Sequence, residues 1–155
     1  MRLTTKGRYA VTALLDVAMY AQEGPITVAQ MSKRHGISST YLERLTGIMR
    51  AKGLLKSIRG AKGGYVLARP AHEITIADII DAVDEGIDAT RCGGKGNCQE
   101  GSVCLTHHLW EALNNEINGF LKGITLSALA KKPQSFEKQY QPLLLKKMAT
   151  VGNFA

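Results

Sequence analysis

The chain has little of what would anchor it in a membrane or cross-link it. No apolar run in its 155 residues approaches the roughly 20 needed to cross a bilayer, which excludes a membrane-spanning helix. The first residues, Met1-Arg-Leu-Thr-Thr-Lys6, lack the charged-then-apolar layout of a signal peptide, so a cytoplasmic protein is expected. There are only 3 cysteines, an odd number that cannot all pair within one chain, and a disulfide framework is excluded. No nucleotide-binding loop or catalytic dyad is present, and an enzyme is not expected. Acids are scarce in one part only: residues 1 to 70 hold 12 Lys and Arg against 3 Asp and Glu, whereas the remainder is slightly acidic.

That asymmetry is the first positive signal. A basic N-terminal half suits a polyanion such as DNA. Charge alone would equally describe a solvated basic face, so the pattern of elements has to decide. The length fits one compact unit, or a small domain with an added oligomerisation element.

Thr4 or Thr5 caps a first helix in which Tyr9, Ala10, Ala13, Leu14, Val17 and Ala18 recur at helical spacing, ending near Glu23-Gly24-Pro25. A two-turn helix follows Thr27 and stops at Gly36. A third runs from about Tyr41 to Lys52, with Leu42, Leu45, Ile48 and Met49 on one face. Two helices joined by a tight glycine turn have the layout of a helix-turn-helix. Residues 54 to 58 and 65 to 67 then read as two strands joined by Arg59-Gly-Ala-Lys-Gly-Gly64, a hairpin with a basic, glycine-rich tip. Together these predict a mainly α winged helix-turn-helix domain over residues 1–85, closed by a helix that Thr75 caps, with a small β-hairpin as its wing.

Between Leu105 and Leu121 lies the strongest apolar pattern. Trp110, Leu113, Ile117 and Phe120 step by three, four and three residues, and Leu109 widens the stripe. So small a domain has little else to cover this surface, so we expect a long dimerisation helix, with a short following helix, over residues 105–131. Residues 132–155, including Leu143 to Leu145, are expected to form a flexible tail.

If the third helix enters a major groove, its N-terminal residues Ser38, Ser39, Thr40, Tyr41, Glu43 and Arg44 are the candidate base and phosphate contacts. Thr40 and Glu43 also fit a capping box. An acid at position 43 tolerates a base edge only where that edge offers a donor, so Glu43 is a candidate discriminator of sites. Arg59, with Gly60 and Lys62, is placed to enter a narrow minor groove. Arg2, Lys6, Arg8, Arg50, Lys52 and Lys56 are candidate phosphate contacts, and His35 and His72 are expected at the surface.

All three cysteines fall within Cys92-Gly-Gly-Lys-Gly-Asn-Cys98-Gln-Glu-Gly-Ser-Val-Cys104, and His107 follows. Unlinked structural cysteines normally stand singly among apolar residues, but these stand among Gly, Lys, Asn and Gln. The spacing lacks the close pair of a zinc knuckle, although zinc accepts three thiolates and one imidazole. Wide spacing lets a loop wrap a body larger than one ion, which favours a two-iron cluster over zinc and both over an inert loop. His107 is preferred to His108 as the fourth ligand because it stands one helical turn from Cys104.

Four segments carry a resemblance: Met1-Arg-Leu-Thr-Thr-Lys-Gly-Arg-Tyr-Ala10, Gly36-Ile-Ser-Ser-Thr-Tyr-Leu-Glu43, Arg59-Gly-Ala-Lys-Gly-Gly-Tyr65 and Val83-Asp-Glu-Gly-Ile-Asp-Ala-Thr-Arg-Cys92. From Met1 to about Leu129 the chain resembles the IscR family of bacterial iron-sulfur cluster assembly regulators. The resemblance implies a homodimer with one [2Fe-2S] cluster per subunit on Cys92, Cys98, Cys104 and His107, the 86–107 segment being the cluster-binding loop. It also implies double-stranded DNA operators, control of cluster-assembly genes, cluster-assembly proteins as donors, and site choice that depends on cluster occupancy. A related nitric oxide sensor takes an extra acidic ligand near its N-terminus, and Arg8 stands in that place here.

Overall fold

The computed structural model describes residues 4–83 and 86–131; Arg2 and the expected tail over 132–155, with Leu143 to Leu145, lie outside the described residues. Helix α1 spans Thr5–Met19. Thr4 is its cap, accepting the Gly7 N–H at 3.1 Å. Ala10, Ala13, Leu14 and Val17 form its buried stripe, and α1 packs against most of the other elements.

Helix α2, Val28–His35, opens on a capping box in which Thr27 accepts the Gln30 N–H while the Gln30 side chain accepts the Thr27 N–H. It ends at Gly36, whose φ of 65° is the left-handed conformation a glycine adopts at low cost. Helix α3 spans Ser39–Ala51. It starts two residues before the expected Tyr41 because Ser38 caps it, accepting the Tyr41 N–H at 3.2 Å. The capping box expected between Thr40 and Glu43 is therefore absent: both lie inside the helix.

Strands β1 (Leu55–Ile58) and β2 (Gly64–Leu67) pair antiparallel with Leu55 opposite Leu67 and Ser57 opposite Tyr65. The wing is tied to the helices by Ile26, which exchanges two backbone hydrogen bonds with Tyr65 at 2.9 and 2.7 Å. Gly64 makes this possible, since a Cβ there would lie 2.7 Å from the Ile26 backbone.

Helix α4, Ile76–Val83, buries Ile76, Ile79, Ile80 and Val83. Its start is closed reciprocally: Thr75 N–H donates to Asp78 and Asp78 N–H to Thr75. Helix α5 spans His107–Lys122, and Leu105, fully exposed, precedes it. The chain then turns back: Ile76 N–H donates to Ile124 O at 2.9 Å and Leu126 N–H to Ile74 O at 2.7 Å. Ile124 and Leu126 are buried, so helix α6 (Leu126–Ala130) closes the same core that α1, α3 and α4 build. Each fully buried aliphatic side chain here stabilises by about 1.5–3 kcal/mol relative to exposure.

Candidate metal centre and nucleic-acid interface

Two devices shape the cysteine segment. The first is a tight turn at Gln99 to Ser102, where the two end residues exchange backbone hydrogen bonds at 3.0 and 2.8 Å. Glu100 (φ 46°) and Gly101 (φ 87°) both take the positive φ that a type I′ turn requires. The turn reverses the chain between Cys98 and Cys104, so the Cys104 N–H donates to Cys98 Sγ at 3.1 Å. The second is the start of α5, where the His107 N–H donates to Cys104 O at 3.1 Å. That bond fixes the imidazole beside the thiols.

His107 is 5% exposed and its Nδ1 lies 3.5 Å from Cys92 Sγ and 3.7 Å from Cys98 Sγ. The donor atoms of Cys92, Cys98 and His107 all fall within 4.8 Å of one another. Cys104 stands outside this triangle, on the Cys98 side, with its sulfur 3.9 Å from Thr106 Oγ1. His108 instead turns its Nδ1 to Glu111 at 3.5 Å. All three cysteines are free thiols, partly accessible to solvent.

The thiols perturb each other. Burial pushes Cys92 up, but N–H donors from Gly96, Gly94 and Asn97 and the Cys98 thiol outweigh it and bring its pKa down to about 7. Cys104 is lowered chiefly by a hydrogen bond from Cys98. For Cys98 the Cys104 N–H acts downward, yet the two neighbouring thiols and burial prevail and raise it. Deprotonated sulfur is the form that binds a metal. Three soft sulfurs and one imidazole nitrogen form a donor set suited to iron-sulfur or zinc coordination and unsuited to calcium or magnesium. Beside it opens a cavity of about 370 Å³, whose walls include Arg91, Cys98, Cys104, His107 and Trp110.

Ser38, Ser39, Thr40, Glu43 and Arg44 are all exposed along the start of α3. Tyr41 differs from them: its ring turns to α1 and meets Tyr9 edge-to-face, with centroids 5.8 Å apart. Arg59, Gly60 and Lys62 are exposed at the wing tip. Arg50 Nη1 reaches Ser57 Oγ at 3.4 Å, linking the end of α3 to the wing.

Residues 3–132 match the Rrf2 family, described as an iron-dependent transcriptional regulator. The chain belongs to the Rrf2 family. Among its relatives it is 57% identical over 129 residues to the HTH-type transcriptional regulator IscR of Serratia proteamaculans, covering 83% of this chain and 79% of that one. It is 54% identical over 129 residues to IscR of Escherichia coli, covering 83% and 80%. Among solved structures it is similar to T. potens IscR, with a TM-score of 0.71, 34% identity and coverage of 84% and 87%. It is likewise similar to CymR, the global cysteine regulator of B. subtilis, with a TM-score of 0.74, 33% identity and coverage of 84% and 96%. This Rrf2 protein is accordingly a DNA-binding transcriptional regulator and not an enzyme. The winged helix-turn-helix fold read from the glycine turn and hairpin is the fold of these neighbours.

His35 is exposed, as expected, and its Nε2 also lies 2.7 Å from Asp16 Oδ1, a contact that the sequence reading did not foresee. Asp16 itself is 2% exposed, and Arg34 grips it through Nε at 2.8 Å and Nη2 at 2.6 Å. The signal was an acid at the apolar spacing of α1, three residues after Ala13 and directly before Val17. Also missed were Asp88 and Asn114, which bond each other across 26 residues and which no sequence pattern couples. His72 is exposed as expected.

Proposed function

We propose that this regulator senses iron-sulfur cluster supply, holding one [2Fe-2S] cluster per subunit through Cys92, Cys98, Cys104 and His107. The observation that carries the reading is the convergence of His107 Nδ1 with Cys92 and Cys98, together with Cys104 folded back onto Cys98. A donor set spread beyond one triangle suits a body larger than a single ion. When bound, such a cluster supplies an oxidant-sensitive, removable core whose presence reports iron and sulfide supply. The neutral histidyl ligand makes one corner easier to lose than an all-thiolate set would.

The chain's own residues carry the signal outward. Ligation orders residues 86–107 against α5; α5 packs on α4, and α4 on both α1 and the recognition helix α3. A differential affinity of about 1–3 kcal/mol between the two states is enough to redirect DNA-site choice. Ser38, Ser39, Thr40, Glu43 and Arg44 are the major-groove set and Arg59, Gly60 and Lys62 the minor-groove set, with Lys6, Arg8, Arg50, Lys52 and Lys56 on phosphates. Tyr41 sets the angle of α3 through Tyr9. The working unit is a cytoplasmic homodimer joined along α5, where Leu109, Trp110 and Phe120 are 61%, 39% and 47% exposed and Leu113 and Ile117 half-buried. Its targets are cluster-assembly genes, and cluster-assembly proteins are the donors.

The test is DNA binding to a panel of promoters by anaerobic holo- and apo-protein. Cluster-dependent site choice supports the proposal, and equal binding to every site in both states overturns it. The same triangle also suits a zinc ion, and a zinc-stabilised protein would bind DNA identically whatever the iron supply.

A further inference from the structure

Resting on the cluster reading, we infer that Asn114 is a positioning residue for Cys92, locking the start of the cysteine loop onto α5. Asn114 uses both ends of its amide for the segment before Cys92: Oδ1 accepts the Ala89 N–H at 2.6 Å, and Nδ2 donates to Asp88 Oδ1 at 2.7 Å. The same Asp88 oxygen accepts both the N–H and the hydroxyl of Thr90 at 2.7 Å. Thr90 Oγ1 in turn accepts the Gly94 N–H at 2.8 Å. The relay thus fixes residues on both sides of Cys92.

Asn114 stands seven residues after His107, two turns along one face of α5. One helix therefore holds the loop twice, by His107 among the sulfurs and by Asn114 at the loop's entry. After Cys92 the chain turns through Gly93 and Gly94, both at positive φ, so the direction of the loop's entry is set before Cys92. Without the amide, Cys92 keeps its sulfur but loses the scaffold that aims it at Cys98 and His107. Partners that orient a ligand in this way typically contribute 10–100-fold to metal retention.

The test compares wild type, Asn114→Ala, Asn114→Asp and the exchanged pair Asp88→Asn/Asn114→Asp. Alanine is the better helix former, so folding is retained, and thermal unfolding of the apo-proteins verifies it. In the apo-proteins, Ala89 and Thr90 amide exchange is expected to accelerate in both single variants. In anaerobically reconstituted protein the visible absorption is expected to decay under a chelator about tenfold faster in Asn114→Ala. Asn114→Asp, which faces Asp88 with a second carboxylate, is expected to decay at least as fast, and the exchanged pair to recover. Wild-type decay rates in both single variants overturn the role of Asn114 and leave the cluster reading standing. A wild-type protein that takes up no cluster overturns both.

Discussion

Asp16 on α1 and Arg34 in the last turn of α2 form a two-point ion pair, with the carboxylate fully shielded and the guanidinium also lying over Tyr20 at 4.1 Å. Because α2 leads through Gly36 and the Ser38 cap into α3, this pair fixes the recognition helix to the core. Burial would raise the Asp16 pKa, but hydrogen bonds and charge from Arg34 and His35 outweigh it and lower it. A lowered carboxylate pKa means stability that is complete above the unfolded value of about 3.9 and lost as pH falls through the folded one. Urea unfolding across the acid range checks this: the advantage of wild type over Asp16→Asn is expected to stay level down to about pH 4 and to shrink only below it. Arg34→Met, which leaves the buried carboxylate with His35 alone, is expected to cost about 3 kcal/mol at pH 7.

The wing depends on a missing side chain. Gly64→Ala drives a methyl into the Ile26 backbone and should loosen the Ile26 to Tyr65 bridge that ties β2 to the helices. DNA affinity is expected to fall at every site alike, with a stability loss of about 1–3 kcal/mol. Arg59→Ala should act differently, leaving stability unchanged and, if the side chain neutralises one phosphate-lined groove position, reducing the salt slope of binding by about 0.9. Fluorescence anisotropy across a salt series separates the two.

Free of any capping duty, Glu43 is exposed on α3 and is expected to reject base edges that offer only acceptors. Glu43→Ala should therefore bind non-cognate sites more tightly and compress the gap between good and poor operators by about 1–3 kcal/mol. Competition binding on single-base operator variants reads this directly. An unchanged specificity profile would remove Glu43 from the reading set.

The elements that follow local rules were legible in the sequence. Thr4, Thr27, Thr75 and Gly36 punctuate their helices as the chemistry of caps dictates, and the apolar rows of α1 and α4 lie inside as their spacing requires. Cys92, Cys98 and His107, whose donor atoms converge, could be grouped because soft donors in a polar glycine-rich loop have few other uses. Long-range pairings were not legible. Nothing local joins Asp16 to Arg34 and His35, 18 and 19 residues away, or Asp88 to Asn114. Ser38 took the cap from Thr40 because either hydroxyl satisfies the rule and tertiary packing selects between them.

Apolar exposure on α5 leads to a prediction about assembly. Leu109→Glu places a charge within the exposed stripe and is expected to convert the proposed dimer to monomer, lowering DNA affinity while leaving the far-ultraviolet circular dichroism unchanged. Sedimentation at micromolar concentration checks it, and a monomeric wild type would contradict the α5 interface. The only tryptophan, Trp110, lines the cavity beside His107, so its fluorescence should also drop when the metal centre fills.

The most direct measurement is iron and acid-labile sulfide analysis, with visible absorption, on anaerobically purified protein. The account predicts a coloured protein with about two iron and two sulfide per chain, and loss of that colour in Cys92→Ala, Cys98→Ala and Cys104→Ala. A colourless, zinc-loaded protein that binds its operators normally would contradict it.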